Sequence, residues 1–124
     1  MHRTADVEFT VSLVELKRAF RRLSARLPDE SEAGGAFVVF TACNDKLEIT
    51  ANGTFEGLSA SGVHPGRARV PFPVFRGVAR ILRFYRLKTV RFAFSVGELT
   101  IDRTAFRHKD ISILPKSVSV HQGR

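Results

Sequence analysis

Arg76, Arg80 and Arg83 recur at i, i+4 and i+7 within the stretch PVFRGVARILRFYRLK, residues 73–88. At about 100° per residue this spacing gathers them in a narrow arc of one helix face, opposite Val74, Val78, Ile81, Leu82 and Tyr85. No acid interrupts the arginine face, so it lacks the i,i+4 ion pairs that an ordinary surface helix uses. Like charges stacked this way repel by about 0.2–0.5 kcal/mol per pair, and a polyanion across the face turns that repulsion into attraction. The chemistry these residues can do is phosphate binding, weighed against a plain solvated face. A second set, Lys17, Arg18, Arg21 and Arg22, lies on residues 13–27, where Leu16, Phe20, Leu23 and Leu27 line the other side and Glu15 is the sole acid.

Other chemistry finds little support. His2, His64, His108 and His121 are scattered, and none has a partner at metal-ligand spacing. His108 and Asp110 share one face of an expected strand without forming a ligand set. Cys43 ends an apolar strand with no histidine beside it and reads as a structural thiol. The glycines of Gly34-Gly35 and Asn52-Gly53 read as turn residues, and no phosphate-loop pattern occurs. Asp102 and Asp110, flanked by Arg103, Arg107 and Lys109, read as ion-pair partners rather than as ligands for nuclease chemistry. The expectation is a protein that is not an enzyme and carries no cofactor or metal.

The elements that position the basic residues follow from periodicity. Residues 7–11 alternate as a half-buried strand does, and Ser12 with Glu15 forms a capping-box pattern that starts the first helix over 13–27. Pro28 and the polar run 29–35 read as a loop. Strands are expected over 36–42 and 46–51, joined at Asn44-Asp45, and over 54–61 after the hairpin signal Asn52-Gly53. His64-Pro65-Gly66 marks a turn or crossover. Residues 67–71 read as a strand feeding the second helix, 73–88, followed by strands over 89–96, 98–103 and 109–114. Residues 117–124 read as a frayed tail. Phe20, Phe75 and Phe84 are expected in the core. With no aromatic among the arginines on the exposed face, the pattern argues against a platform for single strands.

The order is strand, helix, three strands, twice over: an α+β arrangement with a duplicated βαβββ unit, two helices and antiparallel sheets. At an offset of 59 residues Val11 meets Val70, Leu16 meets Phe75, Lys17 meets Arg76, Arg21 meets Arg80 and Leu23 meets Leu82. Leu47 and Ile49 meet Leu99 and Ile101 at an offset of 52, so the first copy carries an insertion at the 29–35 loop. One domain over 1–116 is expected, with repeats at 6–62 and 67–114.

Composition narrows the partner. Of 124 residues, 44% are hydrophobic, enough for one core, and 20 Lys and Arg against 12 Asp and Glu give +8. That excess points to nucleic acid or another anionic surface. A single cysteine excludes an intrachain disulfide framework, and no apolar run approaches the roughly 20 residues of a membrane span. Neither does residues 1–9 read as a signal peptide, so a cytoplasmic location is expected.

Two such units resemble the repeating domain of the DNA sliding clamps, the family of the bacterial polymerase III beta clamp and the proliferating cell nuclear antigen. The stretches that carry the resemblance are LVELKRAFRRL, DKLEITANGTFEGLSA, ARVPFPVFRGVARIL and GELTIDRT. It implies helices lining a ring and holding duplex DNA by its phosphates, through Lys17, Arg18, Arg21, Arg22, Arg76, Arg80 and Arg83. It also implies a polymerase or repair protein as partner. Clamp subunits carry two or three such domains and rings hold six, so this chain departs from the pattern. A monomer, a dimer and a closed hexamer all stay open. Lys109 and Arg107 near the last strand, and Arg67 and Arg69 on 67–71, are candidates for protecting sheet edges. The competing reading is a protein-interaction scaffold that keeps the fold without encircling DNA.

Overall fold

The computed structural model of the chain describes residues 5–25 and 37–115. The first half runs β1 (Val7–Ser12), α1 (Leu13–Ser24), β2 (Phe37–Cys43), β3 (Lys46–Ala51), β4 (Thr54–Ser59) and β5 (Ser61–His64). The second runs β6 (Gly66–Pro71), α2 (Phe72–Leu82), β7 (Thr89–Ser95), β8 (Glu98–Ile101), β9 (Thr104–Arg107) and β10 (Ser112–Leu114). Alternation decides the strands: in β1, β2 and β3 every second residue is buried, because successive side chains leave opposite faces of a pleated strand.

The strands form two antiparallel sheets, β5-β1-β7-β8-β9 and β10-β6-β2-β3-β4. Replacing each strand by its counterpart in the other half turns one order into the other. The register follows the same rule. Val11 faces Val90 while its counterpart Val70 faces Val38, and Phe9 faces Phe92 while Ala68 faces Phe40. The offsets of 59 and 52 read from the sequence therefore relate residues in equivalent places.

Four boundaries differ from expectation. The stretch 54–61 is two strands: Ala60 leaves the ladder, its amide donates to the Asp45 carbonyl at 2.9 Å, and β5 crosses to pair with β1. The stretch 98–103 ends at Ile101, where Asp102 takes the left-handed conformation (φ 52°) and turns the chain into β9. Residues 109–110 belong to a turn in which the Asp110 amide donates to His108 Nδ1 at 3.1 Å, so those two do not share a strand face. Each half is thus βαββββ, one strand more than expected. Finally, α2 stops at Leu82 instead of reaching Lys88, because β7 must begin opposite Ser12 and Lys88 already pairs its carbonyl with the Leu13 amide. Leu27, Pro28, the 29–35 loop and the 117–124 tail lie outside the described residues.

The core is phenylalanine-rich where the sheets meet. Phe9 stacks on Phe92 at 5.1 Å in one sheet, and Phe40 of the other approaches Phe94 at 5.2 Å and Phe92 at 5.8 Å. Phe20 of α1 continues this cluster, stacking on Phe75 of α2 at 4.5 Å and joining the two helices side by side. Among the described residues no polar or charged residue is buried. Phe84, expected inside with Phe20 and Phe75, is 78% exposed.

Candidate nucleic-acid interface

Each helix is aimed by its first turn. The Ser12 hydroxyl accepts from the Glu15 amide at 3.4 Å, satisfying one of the free N–H groups that open α1. Pro71 occupies the equivalent cap of α2 and offers no side-chain bond. Pro73 in the first turn of α2 needs no amide partner there. Beyond the caps, Leu13, Leu16, Ala19, Phe20 and Leu23 bury one stripe of α1, and Phe72, Val74, Phe75, Val78 and Leu82 one stripe of α2.

The seven basic residues divide into groups. Lys17 and Arg21 of α1 and Arg83, the residue that caps α2, line one groove between the helices, with Phe20, Ser24, Ala79 and Leu82 as its floor and walls. No acid lines it. Arg18 and Arg22 lean to the other side of α1, towards β4, beside Glu15 and Glu56. There Arg22 makes an ion pair with Glu56 at 3.3 Å, so its charge is already partly matched within the chain. Arg80 is exposed on α2. Arg76 departs from the expectation that it points wholly away from the core: it is half-buried, its guanidinium carbon sits 4.7 Å above the Phe72 ring, and its Nε has no partner among the described residues.

The counterparts at the offset of 59 follow this division only in part. Lys17 and Arg21 have basic counterparts, Arg76 and Arg80, whereas the counterparts of Arg18 and Arg22 are Gly77 and Ile81. Gly77 lies against β9, where a Cβ would stand 3.0 Å from the Phe106 ring, just as the Arg18 and Arg22 side of α1 lies against β4. The match is partial: Lys17 and Arg21 line the groove while Arg76 and Arg80 do not, and Arg83, which does, is the counterpart of uncharged Ser24.

Two expectations about charges elsewhere change. Arg67 and Arg69 sit on β6, which lies between β10 and β2, so they protect no edge. Arg69 instead stacks over Phe37 at 4.3 Å. Arg107, on β9, does stand at an edge, paired with Glu98 at 3.5 Å. Glu8 is paired with Arg91, and Asp102 sits in a turn rather than on a strand.

Sequence reasoning missed the link between α2 and β7. After Leu82 the amides of Arg83, Phe84 and Tyr85 donate to the carbonyls of Arg80, Ile81 and Leu82, a tightened last turn of i→i+3 bonds. Tyr85 is thereby turned inward, and its hydroxyl donates to Asp102 Oδ2, while Asp102 Oδ1 accepts from the Arg91 amide at 3.3 Å. Burial, the hydrogen bond to Asp102 and the charge of Asp102 push the Tyr85 phenol up to about 12. Arg86 and Lys88 stand exposed on the same link. The signal was present: from Gly57 to Gly97 the chain carries eight Arg and Lys and no acid.

Among the described residues no group of three His, Cys, Asp or Glu side chains is placed to hold a metal, and no helix is long and apolar enough to cross a membrane.

Comparison with solved structures defines the class of fold. The beta clamp of Helicobacter pylori, solved with 5-chloroisatin, superposes with a TM-score of 0.68 at 15% identity over 87% of this chain and 30% of that one. The polymerase sliding clamp of Bacillus subtilis gives 0.68 at 12% identity over 97% of this chain and 34% of its own. The beta sliding clamp of Caulobacter crescentus gives 0.64 at 18% identity over 95% and 32%. No family model and no curated protein sequence matches the chain. The chain has a sliding-clamp-like fold, α+β with two antiparallel sheets and two helices, and it spans about a third of the length of the clamps it resembles.

Proposed function

We propose that this chain is a non-catalytic, sequence-independent duplex DNA-binding protein of sliding-clamp or processivity-factor type. The observation that carries the reading is the groove between α1 and α2, where Lys17, Arg21 and Arg83 converge and no acid intervenes among the described residues. Arg80, Arg18 and the half-buried Arg76 extend the basic surface along the two helices, and Arg22 contributes less because Glu56 holds it. Guanidinium and ammonium groups arranged along a face bind phosphates, which fix position without reading bases. Clamp-like folds in the neighbours support the reading at the level of architecture.

Assembly belongs to the same proposal. Strands β4 and β9 are open edges of the two sheets, and open edges invite pairing with another chain. Joined head to tail, copies of the chain form a ring if the rotation closes, at about 83 kDa for six copies of 13.8 kDa. A polymerase or repair protein is the proposed protein partner; the Helicobacter pylori clamp has been solved bound to a DNA ligase peptide.

The second reading, a scaffold that uses its sheet edges for other proteins, is favoured by one feature: Phe55 on edge strand β4 is 61% exposed. Competition between unrelated duplexes at low salt separates the two. The DNA reading expects binding to all of them and its loss at high salt. A preference for one sequence by more than about 4 kcal/mol, as site-specific proteins show, contradicts it. Absence of binding at low salt leaves the scaffold.

A further inference from the structure

The link between α2 and β7 presents an exposed aromatic ring inside the most basic part of the chain. Phe84 is 78% exposed between the exposed Arg83 and Arg86, so, contrary to the sequence expectation, an aromatic does stand among the exposed arginines. A lone exposed phenylalanine is unremarkable on a surface, but three features set this one apart. The link is held from both ends: the tightened turn fixes residues 83–85, and the Lys88 carbonyl accepts from the Leu13 amide at 2.9 Å. Between these anchors the inward Tyr85 is tied to Asp102, so the outward position of Phe84 is built in. Arg83 belongs to the groove read above as the phosphate track, which makes the ring continuous with that track.

We propose that this link is a contact for single-stranded nucleic acid, with Phe84 stacking on an unpaired base and Arg83 and Arg86 holding the adjoining phosphates. The proposal rests on the reading of the groove as a phosphate track and adds to it a preference that phosphate binding alone does not give. Bases inside a duplex already stack on each other, so an outward ring finds a π-face only where a strand is unpaired. Aromatic rings beside cationic side chains are the usual means of holding single strands without regard to sequence. An acidic peptide would need a cleft to receive its apolar residues, whereas Phe84 lines neither the groove between the helices nor the one beside Tyr85 and Leu87. An anionic membrane shares the charge requirement and is tested directly.

The assay measures binding of labelled oligothymidine and of a random-sequence duplex to the whole chain. Phe84→Ala is expected to weaken oligothymidine binding at least about fivefold, the lower end of what stacking on one base contributes. Duplex binding, set by phosphates, is expected to change by less than about twofold. The chain has no tryptophan, so Phe84→Trp adds a single indole whose fluorescence should be quenched by oligothymidine, with binding retained. Equal losses on both nucleic acids, an unchanged oligothymidine affinity, or binding of the Trp variant without quenching each overturn the proposal. Phe84-dependent binding to phosphatidylserine vesicles, without oligothymidine binding, overturns it in favour of a membrane. If duplex binds normally and only the oligothymidine effect is missing, the groove reading survives. If neither nucleic acid binds, both fall, and if only oligothymidine binds through Phe84, the duplex reading alone falls.

Discussion

Tyr85 is the only tyrosine of a chain without tryptophan, so its ionisation can be followed by tyrosinate absorbance with no competing signal. Its phenol is pushed from an ordinary value of 10.0 up to about 12, first by burial, then by the hydrogen bond to Asp102 and by the charge of that carboxylate. The perturbation is Asp102→Asn. The amide can still accept from the phenol, but it carries no charge, so the midpoint should fall. It should stop short of 10, because burial, the largest cause, is untouched. The sign of the linked stability follows: a raised folded value means the contribution is complete below pH 10 and is lost as pH climbs through 12. The native chain should therefore lose stability relative to Tyr85→Phe within that window and not below it. Far-ultraviolet circular dichroism recorded alongside separates ionisation in the folded state from ionisation upon unfolding. A native midpoint at 10, or one that Asp102→Asn leaves in place, would refute the reasoning and release the α2–β7 link from its anchor.

Further outcomes concern the basic face, the core and the sheet edges. If Lys17, Arg18, Arg21, Arg80 and Arg83 each meet one phosphate, the logarithm of duplex affinity should fall against that of salt with a slope of about −4.5. Arg21→Ala should lower that slope by about 0.9 and Arg22→Ala by much less, since Glu56 already pairs with Arg22; equal effects would show the ion pair to be irrelevant. Phe9→Ala should cost about 3–5 kcal/mol in denaturant unfolding, because the ring is fully buried among Phe40, Phe92 and Phe94. Phe84→Ala should cost no more than about 0.5 kcal/mol, and a large loss would place that ring in the core after all. Light scattering across protein concentration should show mass rising above one chain if β4 and β9 pair between copies, and a mass fixed at 13.8 kDa excludes a ring.

Much of this architecture is legible in residue order, for identifiable reasons. Asn52-Gly53 is a turn because both residues take positive φ, 50° and 78°, which that pair tolerates better than most. Ser12 caps α1 as its spacing to Glu15 requires, and Val11 and Val70 occupy matching places in the two sheets. What stayed hidden depends on contacts distant in sequence. Asp102-Arg103 also makes a two-residue turn, but with positive φ at Asp102 and not at Arg103, and Asp102 is held there by Tyr85 and the Arg91 amide. The break at Ala60 needs the Asp45 carbonyl and an open side of β1 to receive β5. Residue type alone suggests a buried Phe84, but it falls outside the arc of Val74, Val78, Ile81, Leu82 and Tyr85, and the tightened turn after Leu82 leaves its ring in solvent. The basic residues were found by type, but their division needed partners: only the structure puts Glu56 beside Arg22 and Phe72 beneath Arg76.

The central claim, that the groove between the helices holds duplex DNA by its phosphates, is tested most directly by reversing its charge. Lys17→Glu, Arg21→Glu and Arg83→Glu together replace the three cations that line it among the described residues. At about 1 kcal/mol for each close charge pair in water, losing the three attractions alone removes about 3 kcal/mol, roughly 150-fold in affinity. Random-sequence duplex binding at low salt, measured by anisotropy with folding checked by circular dichroism, is predicted to fall by at least about that factor in a folded protein. Undiminished binding by the folded triple variant would contradict the account.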